Sequence, residues 1–120
     1  MKALIIDDSK TMRMILGREL KERKCEIREA SNGKEGLAVL GQEGGWDFIL
    51  LDWNMPEMNG IEFIRNVRAN PALKRVPIIM VTTECSEEHK KASLEAGATF
   101  FLSKPFRWED LAGVLDEVKP

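Results

Sequence analysis

Short apolar runs alternate with longer amphipathic stretches along the whole of this 120-residue chain. Continuous apolar runs lie at 3–6, 48–51, 78–81 and 100–102, whereas 25–30 alternates polar and apolar positions. A continuous run is typical of a strand covered on both faces, and alternation is typical of a half-exposed strand. We therefore predict five strands, with the second of them at an edge of the sheet.

Amphipathic helical patterns fill the stretches between the apolar runs. In the first and last of them, apolar residues recur at the spacing of one helical face: Met12, Ile15, Leu16 and Leu20, and then Leu111, Val114, Leu115 and Val118. Asn32, Asn59 and Ser86 stand at the expected N-caps of the other three, and Gly97 at the end of the fourth. This alternation predicts an α/β fold, with a doubly wound five-stranded parallel sheet of flavodoxin-like order 2-1-3-4-5 and five helices. We expect it to form a single domain over 1–120.

Composition and charge exclude several classes of function. The formal net charge is −2 and no basic stripe is evident, which argues against nucleic-acid binding. No apolar run is long enough to span a membrane, and the first residues do not form a secretory signal. Cys25 and Cys85 have no metal-ligand spacing, so we expect reduced thiols. These observations predict a cytoplasmic protein.

Acidic and polar side chains follow the ends of the predicted strands. Asp7 and Asp8 come after the first strand, Asp52 after the third, Thr82 after the fourth and Lys104 after the fifth. Because parallel strands bring their carboxyl ends to one edge, we expect these side chains to share a crevice at the topological switch point. Carboxylates that lie close together favour Mg²⁺, and an aspartate is a competent nucleophile toward phosphorus. The sequence therefore predicts phosphoryl transfer onto a side chain.

The motifs around these residues resemble one family over essentially the whole chain. They read LIIDDSKTMR, LLDWNMPEMNG, IIMVTTE and AGATFFLSKPF. The chain is similar to the receiver domain of two-component response regulators, in the single-domain form found among chemotaxis regulators. The resemblance implies that Asp52 is the phospho-acceptor and a Mg²⁺ ligand. Asp7, Asp8 and the backbone carbonyl of Asn54 would complete the protein's share of the metal site.

The same resemblance implies a conformational switch. Thr82 would be the switch hydroxyl, Phe101 the switch aromatic and Lys104 the phosphate-contacting lysine. Phe101 stands where the chemotaxis members carry tyrosine, and core packing alone is the alternative role for it. Glu84 and Asn54 each lie two residues beyond a site residue. They are candidates for tuning the rate at which water removes the phosphate.

The implied function is a phosphorylation-activated switch and not a turnover enzyme. A sensor histidine kinase or a phosphotransfer protein would present a phosphohistidine to Asp52. The face formed by the fourth helix, fifth strand and fifth helix would then change, and Lys90 and Lys91 put two positive charges on it. Because 16 residues follow Lys104, we expect the signal to pass in trans to a protein partner whose identity stays open. A monomer or a weak dimer on phosphorylation is expected, without nucleic acid and without membrane insertion.

Three other functions are compatible with parts of the pattern. A phosphatase of the haloacid-dehalogenase kind would carry a second aspartate two residues after its nucleophile, where this chain has Asn54. A flavodoxin-like cofactor binder would have a first loop rich in Gly, Ser and Thr instead of DDSKTMR. An inert interaction module would have no reason to keep Asp8, Asp52 and Lys104.

Some of these residues also have ordinary structural explanations. Asp7 and Asp8 could simply cap the first helix, since acids are favoured there. Trp53 is expected to lie beside the site as a partly exposed cover. His89, the only histidine, follows two glutamates in an early helical turn and is expected to be a surface residue.

Overall fold

Five strands and five α-helices alternate along the part of the chain that the structure describes. The computed structural model describes residues 1–53, 58–83, 86–104 and 106–118. In chain order the elements are β1 (Lys2–Ile6), α1 (Lys10–Glu22), β2 (Glu26–Ala30), α2 (Gly33–Gln42), β3 (Phe48–Leu51), α3 (Gly60–Ala69), β4 (Ile78–Thr82), α4 (Glu87–Ala96), β5 (Phe100–Ser103) and α5 (Trp108–Val118). A short 3₁₀ turn at Pro71–Leu73 precedes β4.

The strands form one parallel sheet in the order β2-β1-β3-β4-β5, which confirms the predicted topology. All residues of β3 and β4 are buried, as their continuous apolar runs require. β2 lies at an edge and is mostly half-buried or exposed, as its alternating pattern predicts. From β1 the chain adds β2 on one side, and it then adds β3, β4 and β5 on the other side. The gap between the adjacent strands β1 and β3 is therefore the topological switch point.

Each face of the sheet is covered by its own set of helices. Successive residues of a strand point to opposite faces, so each buried strand contributes side chains to two hydrophobic cores, one on each side of the sheet. Helices α2 and α3 cover the face of Leu4, Ile6, Ile49, Leu51, Ile78 and Met80. Helices α1 and α5 cover the face of Ala3, Ile5, Phe48, Leu50, Ile79 and Val81. This double cover leaves the strand ends as the open edges of the sheet.

The helix boundaries follow the predicted caps. The side chains of Asn32, Asn59 and Ser86 each accept the backbone N–H three residues on, at the starts of α2, α3 and α4. Gly97 ends α4 with φ +122°, a backbone conformation that favours glycine. The N-cap of α1 is Ser9, whose side chain accepts the backbone N–H of Met12. Because Ser9 takes this role, the two preceding aspartates are not needed as caps.

The predicted buried face of α1 is wrong at Ile15, which is 47% exposed. The buried residues of this helix are Leu16, Gly17 and Leu20. A Cβ at Gly17 would lie 2.8 Å from Ile27 Cδ1, so glycine allows α1 to approach the edge strand closely. That approach turns the helix so that position 17, and not position 15, faces the sheet.

The described helices are all too short or too polar to cross a membrane. The longest of them, α1, has 13 residues, whereas a bilayer requires about 20 apolar residues.

Candidate functional site

Three carboxylates meet at the carboxyl ends of β1 and β3. Ile6 pairs with Leu51 across these neighbouring strands, so the residues that follow them, Asp7 and Asp52, emerge side by side. One carboxylate oxygen from each of these and from Asp8 can be chosen so that all three lie within 4.8 Å of one another. Asp7 is buried, Asp52 is half-buried and Asp8 is exposed. The structure thus brings the three predicted acids together at the switch point.

Lys104 supplies positive charge to this cluster. Its ammonium Nζ lies 2.9 Å from Asp7 Oδ2 and 3.9 Å from Asp52 Oδ2, with only 12% of the lysine side chain exposed. The backbone N–H of Lys104 donates to the carbonyl of Thr82 at 2.8 Å, which fixes the start of the loop after β5. One lysine therefore contacts two of three acids, and negative charge remains in excess among these four residues.

The Asp52 carboxylate is held in a polar but poorly hydrated position. The Thr82 side chain and the Trp53 backbone N–H are polar groups that act on it. Burial raises the pKa of Asp52 above its usual 3.8, and the neighbouring charge of Asp7 raises it further. Lys104, the Thr82 side chain and the Trp53 N–H lower the pKa without cancelling this rise. The anion is oriented but incompletely compensated, so an additional cation would stabilise it.

Arg13 is a residue of this region that the sequence patterns did not identify. Its guanidinium donates to the backbone carbonyl of Asp7 and forms an ion pair of 3.2 Å with Glu29. The Asp7 carboxylate also accepts the backbone N–H of Ser9 at 2.9 Å. A basic residue near a helix N-terminus opposes the helix dipole, and this is the signal that could have revealed Arg13.

Phe101 and Thr82 belong to the same face of the sheet. Phe101 pairs in register with Met80, and Thr82 is two residues further along β4. Residues two apart on a strand share a face, so the aromatic ring and the buried hydroxyl lie on one side. Phe101 is half-buried and packs against the core beneath α2 and α3. This placement is compatible with both roles considered for Phe101, and its switch role stays a prediction.

Trp53 and His89 form a contact that the sequence did not predict. Their ring centroids lie 4.5 Å apart with an interplanar angle of 75°, an edge-on arrangement. Trp53 is half-buried, as expected of a cover beside the site. His89 is half-buried at the surface, and it makes two contacts there: its ring packs against Trp53, and its Nδ1 hydrogen-bonds the Ser86 hydroxyl.

Two predicted residues, Asn54 and Glu84, lie outside the described residues. The metal-ligand role of the Asn54 carbonyl and the tuning roles of both side chains therefore stay predictions.

The donor set of the acid cluster fits a small divalent cation. Carboxylate oxygens are hard ligands, and Mg²⁺ is bound in proteins through one or two carboxylates while it keeps several waters. Asp7, Asp8 and Asp52 offer such oxygens from a buried, a surface and an intermediate position. Nitrogen and sulfur ligands of the kind that zinc prefers do not occur in this cluster, as far as the chain is described.

Comparison with known proteins identifies the family. Residues 3–116 match the family model of the response regulator receiver domain. The chain is 38% identical over 119 residues to chemotaxis protein CheY-3 of Vibrio cholerae. The alignment covers 98% of this chain and 91% of that protein. The crystal structure of V. cholerae chemotaxis protein CheY4 superposes with a TM-score of 0.90 at 39% identity, over 98% of this chain and 97% of that one.

A more distant structure shares the fold. It is the receiver domain of a sensor histidine kinase from Pseudomonas aeruginosa PAO1, determined with a magnesium ion coordinated in its active site cleft. It superposes with a TM-score of 0.88 at 24% identity, over 97% of this chain and 94% of that one.

The fold, the acid cluster and these matches place the chain in one class: it belongs to the response regulator receiver domain family. Within that class its similarity is to the CheY-type response regulators of chemotaxis. Its function is therefore phosphorylation-activated signalling in a two-component system.

Proposed function

We propose that Asp52 accepts a phosphoryl group from the phosphohistidine of a sensor kinase or of a phosphotransfer protein. The observation that carries this proposal is the position of the Asp52 carboxylate. It lies at the carboxyl end of a fully buried strand, with two further acids beside it, Lys104 at 3.9 Å and the Thr82 side chain lowering its pKa. An oriented, half-buried carboxylate at a strand end is well placed to act as a nucleophile.

Asp7, Asp8 and Asp52 would hold Mg²⁺, with the backbone carbonyl of Asn54 as a further ligand. The excess negative charge of the cluster and its oxygen donors support this assignment. The magnesium found in the cleft of the P. aeruginosa receiver domain adds support from a protein of the same fold. When bound, Mg²⁺ supplies positive charge that lowers the repulsion between the carboxylate and the incoming phosphate.

The side chains of the site would perform the transfer by position and charge. A carboxylate oxygen of Asp52 forms the new O–P bond while the P–N bond of the phosphohistidine breaks. The imidazole nitrogen leaves with the electron pair of that bond. The Lys104 ammonium, already 3.9 Å from Asp52, can move to a phosphoryl oxygen and neutralise part of its charge.

Phosphorylation would then change the demands on Thr82 and Lys104. The acyl phosphate carries about −1.5 to −2 charge in place of the single charge of the carboxylate, and it brings three acceptor oxygens. Thr82 would donate its hydroxyl hydrogen bond to one of them, which draws the end of β4 inward. Phe101 shares the face of Thr82 and would follow into the space that is left. The ligand selects this arrangement because it binds it more tightly than the resting one.

The surface of α4, β5 and α5 would report this change to a protein partner. Lys90, Lys91 and Leu94 are exposed on α4, and Leu94 is 43% exposed. The helix carries charges of both signs, and Lys91 pairs with Glu95 at 4.0 Å, so the exposed leucine is the feature that favours a partner with an apolar contact here. The protein would act as a cytoplasmic signal carrier, and not as an enzyme that turns over a separate substrate. The similarity to CheY-3 makes chemotaxis the first pathway to test.

Incubation with acetyl phosphate and Mg²⁺ tests the assignment of Asp52. Intact-mass spectrometry should find one added phosphoryl group that hydroxylamine removes, as expected of an acyl phosphate. Asp52→Asn should abolish the addition. Asp116→Asn is the matched control, because Asp116 is an exposed aspartate on α5 with 72% of its side chain accessible.

Labelling of the Asp116→Asn variant should equal that of the wild type. Full labelling of Asp52→Asn, or a labelled wild type whose modified peptide excludes Asp52, would overturn the assignment.

A further inference from the structure

Trp53 links the Asp52 carboxylate to a second element of the fold. It follows Asp52 directly in the chain, so the position of the Trp53 backbone depends on what Asp52 carries. Its ring lies 4.5 Å from the ring of His89 on α4, centroid to centroid. The same residue therefore contacts the acid at one end and α4 at the other.

His89 is itself tied to the start of α4. Its Nδ1 hydrogen-bonds the hydroxyl of Ser86, the N-cap residue, and its backbone N–H donates to the same hydroxyl at 3.2 Å. The His89 carbonyl accepts the hydroxyl of Ser93 at 2.9 Å. A displacement of the His89 ring would therefore move the N-cap residue Ser86 and the first two turns of the helix.

The rest of α4 is weakly anchored. Of its ten residues, all of them described, Ser93 alone is buried, and Leu94 is 43% exposed. A helix with so little buried surface depends on the few contacts it does make. The ring of His89 on Trp53 is one of these contacts, and it lies at the end of α4 nearest to Asp52.

We propose that Trp53 and His89 form a coupling contact through which phosphorylation of Asp52 repositions the first turns of α4. A phosphoryl group bonded to a carboxylate oxygen of Asp52 adds three acceptor oxygens and their bulk next to Trp53, so the backbone that follows Asp52 must rearrange. The ring contact carries that rearrangement to His89 and to its cap. The inference rests on the proposed role of Asp52, and it adds a route that does not pass through Thr82 and Phe101. His89 acts in it as a positioning residue.

The test measures the α4 response and the labelling of Asp52 separately in the same samples. Hydrogen exchange of the amides of residues 90–93 reports on α4, with and without acetyl phosphate and Mg²⁺. Intact mass gives the phosphorylated fraction. Incorporated 5-fluorotryptophan gives one ¹⁹F resonance for each of the three tryptophans, and the Trp53 resonance is assigned from Trp53→Phe.

Three variants separate the possible causes. His89→Ala removes the ring, His89→Phe keeps an aromatic ring without the hydrogen bond to Ser86, and Lys74→Ala is the control at an exposed position outside α4. An aromatic pair changes an equilibrium roughly two- to tenfold. We expect His89→Ala to reduce the phosphorylation-dependent change in α4 exchange by that factor, with full labelling of Asp52. His89→Phe should restore most of the response, and Lys74→Ala should leave it unchanged.

The outcomes distinguish the two proposals. A wild type that is not labelled at Asp52 contradicts the proposed function, whatever α4 does. A labelled His89→Ala protein whose α4 responds like that of the wild type overturns the coupling contact alone. Loss of labelling in His89→Ala would also overturn it, because it would place His89 in the transfer step and not after it. A Trp53 resonance that moves on phosphorylation in the wild type, but leaves α4 exchange unchanged, has the same consequence.

Discussion

Charged side chains are paired at the amino end of the sheet, whereas negative charge is in excess at the carboxyl end. The Glu43 carboxylate accepts hydrogen bonds from Arg28 at 2.8 and 3.0 Å and from Lys2 at 2.9 Å. These partners, Arg28 first, lower the pKa of Glu43. Lys2 also places its ammonium 4.6 Å from the centroid of the Trp46 ring, and its backbone N–H donates to Asp47. The side-chain charges of Lys2, Arg28 and Glu43 thus each have a partner of opposite sign.

The carboxyl end keeps three acids around a single contacting lysine. Lys104 pairs with Asp7 and approaches Asp52, while burial still raises the pKa of Asp52. The amino-end network pairs its charges within the protein, whereas Lys104 offsets the repulsion of the carboxyl-end cluster only in part. Charges that are left unbalanced inside a stable fold mark the place where the protein binds something.

Removal of Lys104 should change the free energy of unfolding more than any other substitution considered below. Lys104→Met leaves the Asp7 carboxylate, which is 3% exposed, without its ion-pair partner. We expect the free energy of unfolding in EDTA to fall by about 3 kcal/mol, the usual cost of breaking a buried ion pair from one side. Urea unfolding measures it, with Lys90→Met as the control at an exposed lysine.

A double-mutant cycle tests the physical reason. In an Asp7→Asn background, the carboxylate that needs Lys104 is gone, so Lys104→Met should cost much less. An equal cost in both backgrounds would mean that Lys104 acts by packing of its alkyl chain and not by charge.

Magnesium should have the next largest effect, and only at the carboxyl end. A ligand that binds only the folded state at 100 times its dissociation constant stabilises it by about 2.7 kcal/mol. We expect such a gain for the wild type and for Glu43→Gln, and a much smaller gain for Asp52→Asn, as measured by thermal unfolding with and without Mg²⁺. An equal gain in Asp52→Asn would place the bound metal elsewhere.

Asp52→Asn should stabilise the metal-free protein by roughly 1 kcal/mol at neutral pH, the size of one screened charge interaction at close range. The folded protein raises the pKa of Asp52 above 3.8, so folding favours the protonated acid. The stabilising contribution of this group is present below that value and is lost as the pH rises through the folded pKa. The gap between variant and wild type, measured by urea unfolding in EDTA, should therefore widen with increasing pH. A gap that narrows would contradict the sign of the shift.

The sequence was sufficient for the sheet and for the meeting of its acids. A strand that is covered on both faces, such as Phe48–Leu51, requires a continuous run of apolar residues. In this chain that run ends directly before Asp52. Because parallel strands of similar length end together, the neighbours of Asp52 at that edge follow from chain order alone. Local rules of strand and cap chemistry are strong enough to decide these features.

Contacts between helices and loops could not be derived in the same way. The rotation of α1 depends on the fit of Gly17 against Ile27, a contact across two elements that helical periodicity does not encode. The ring contact of His89 with Trp53 depends likewise on where α4 begins relative to the end of β3. Helical periodicity predicts which residues share a face of a helix. The rotation of that helix against its neighbour depends on the shapes of both packed surfaces.

Glu43→Gln should have the smallest effect, with the opposite dependence on pH from Asp52→Asn. Arg28 and Lys2 lower the pKa of Glu43 below 4.5 in the folded protein. Its stabilising contribution is therefore present above that value and is lost as the pH falls through the folded pKa. The variant should be slightly less stable than the wild type at neutral pH, and the difference should close in acid and shrink in high salt, because the network is exposed to solvent. Urea unfolding at a series of pH values measures it, and Arg28→Met should cost less in the Glu43→Gln background. If the two ends instead gave pH slopes of the same sign, the contrast between a balanced and an unbalanced end would be wrong.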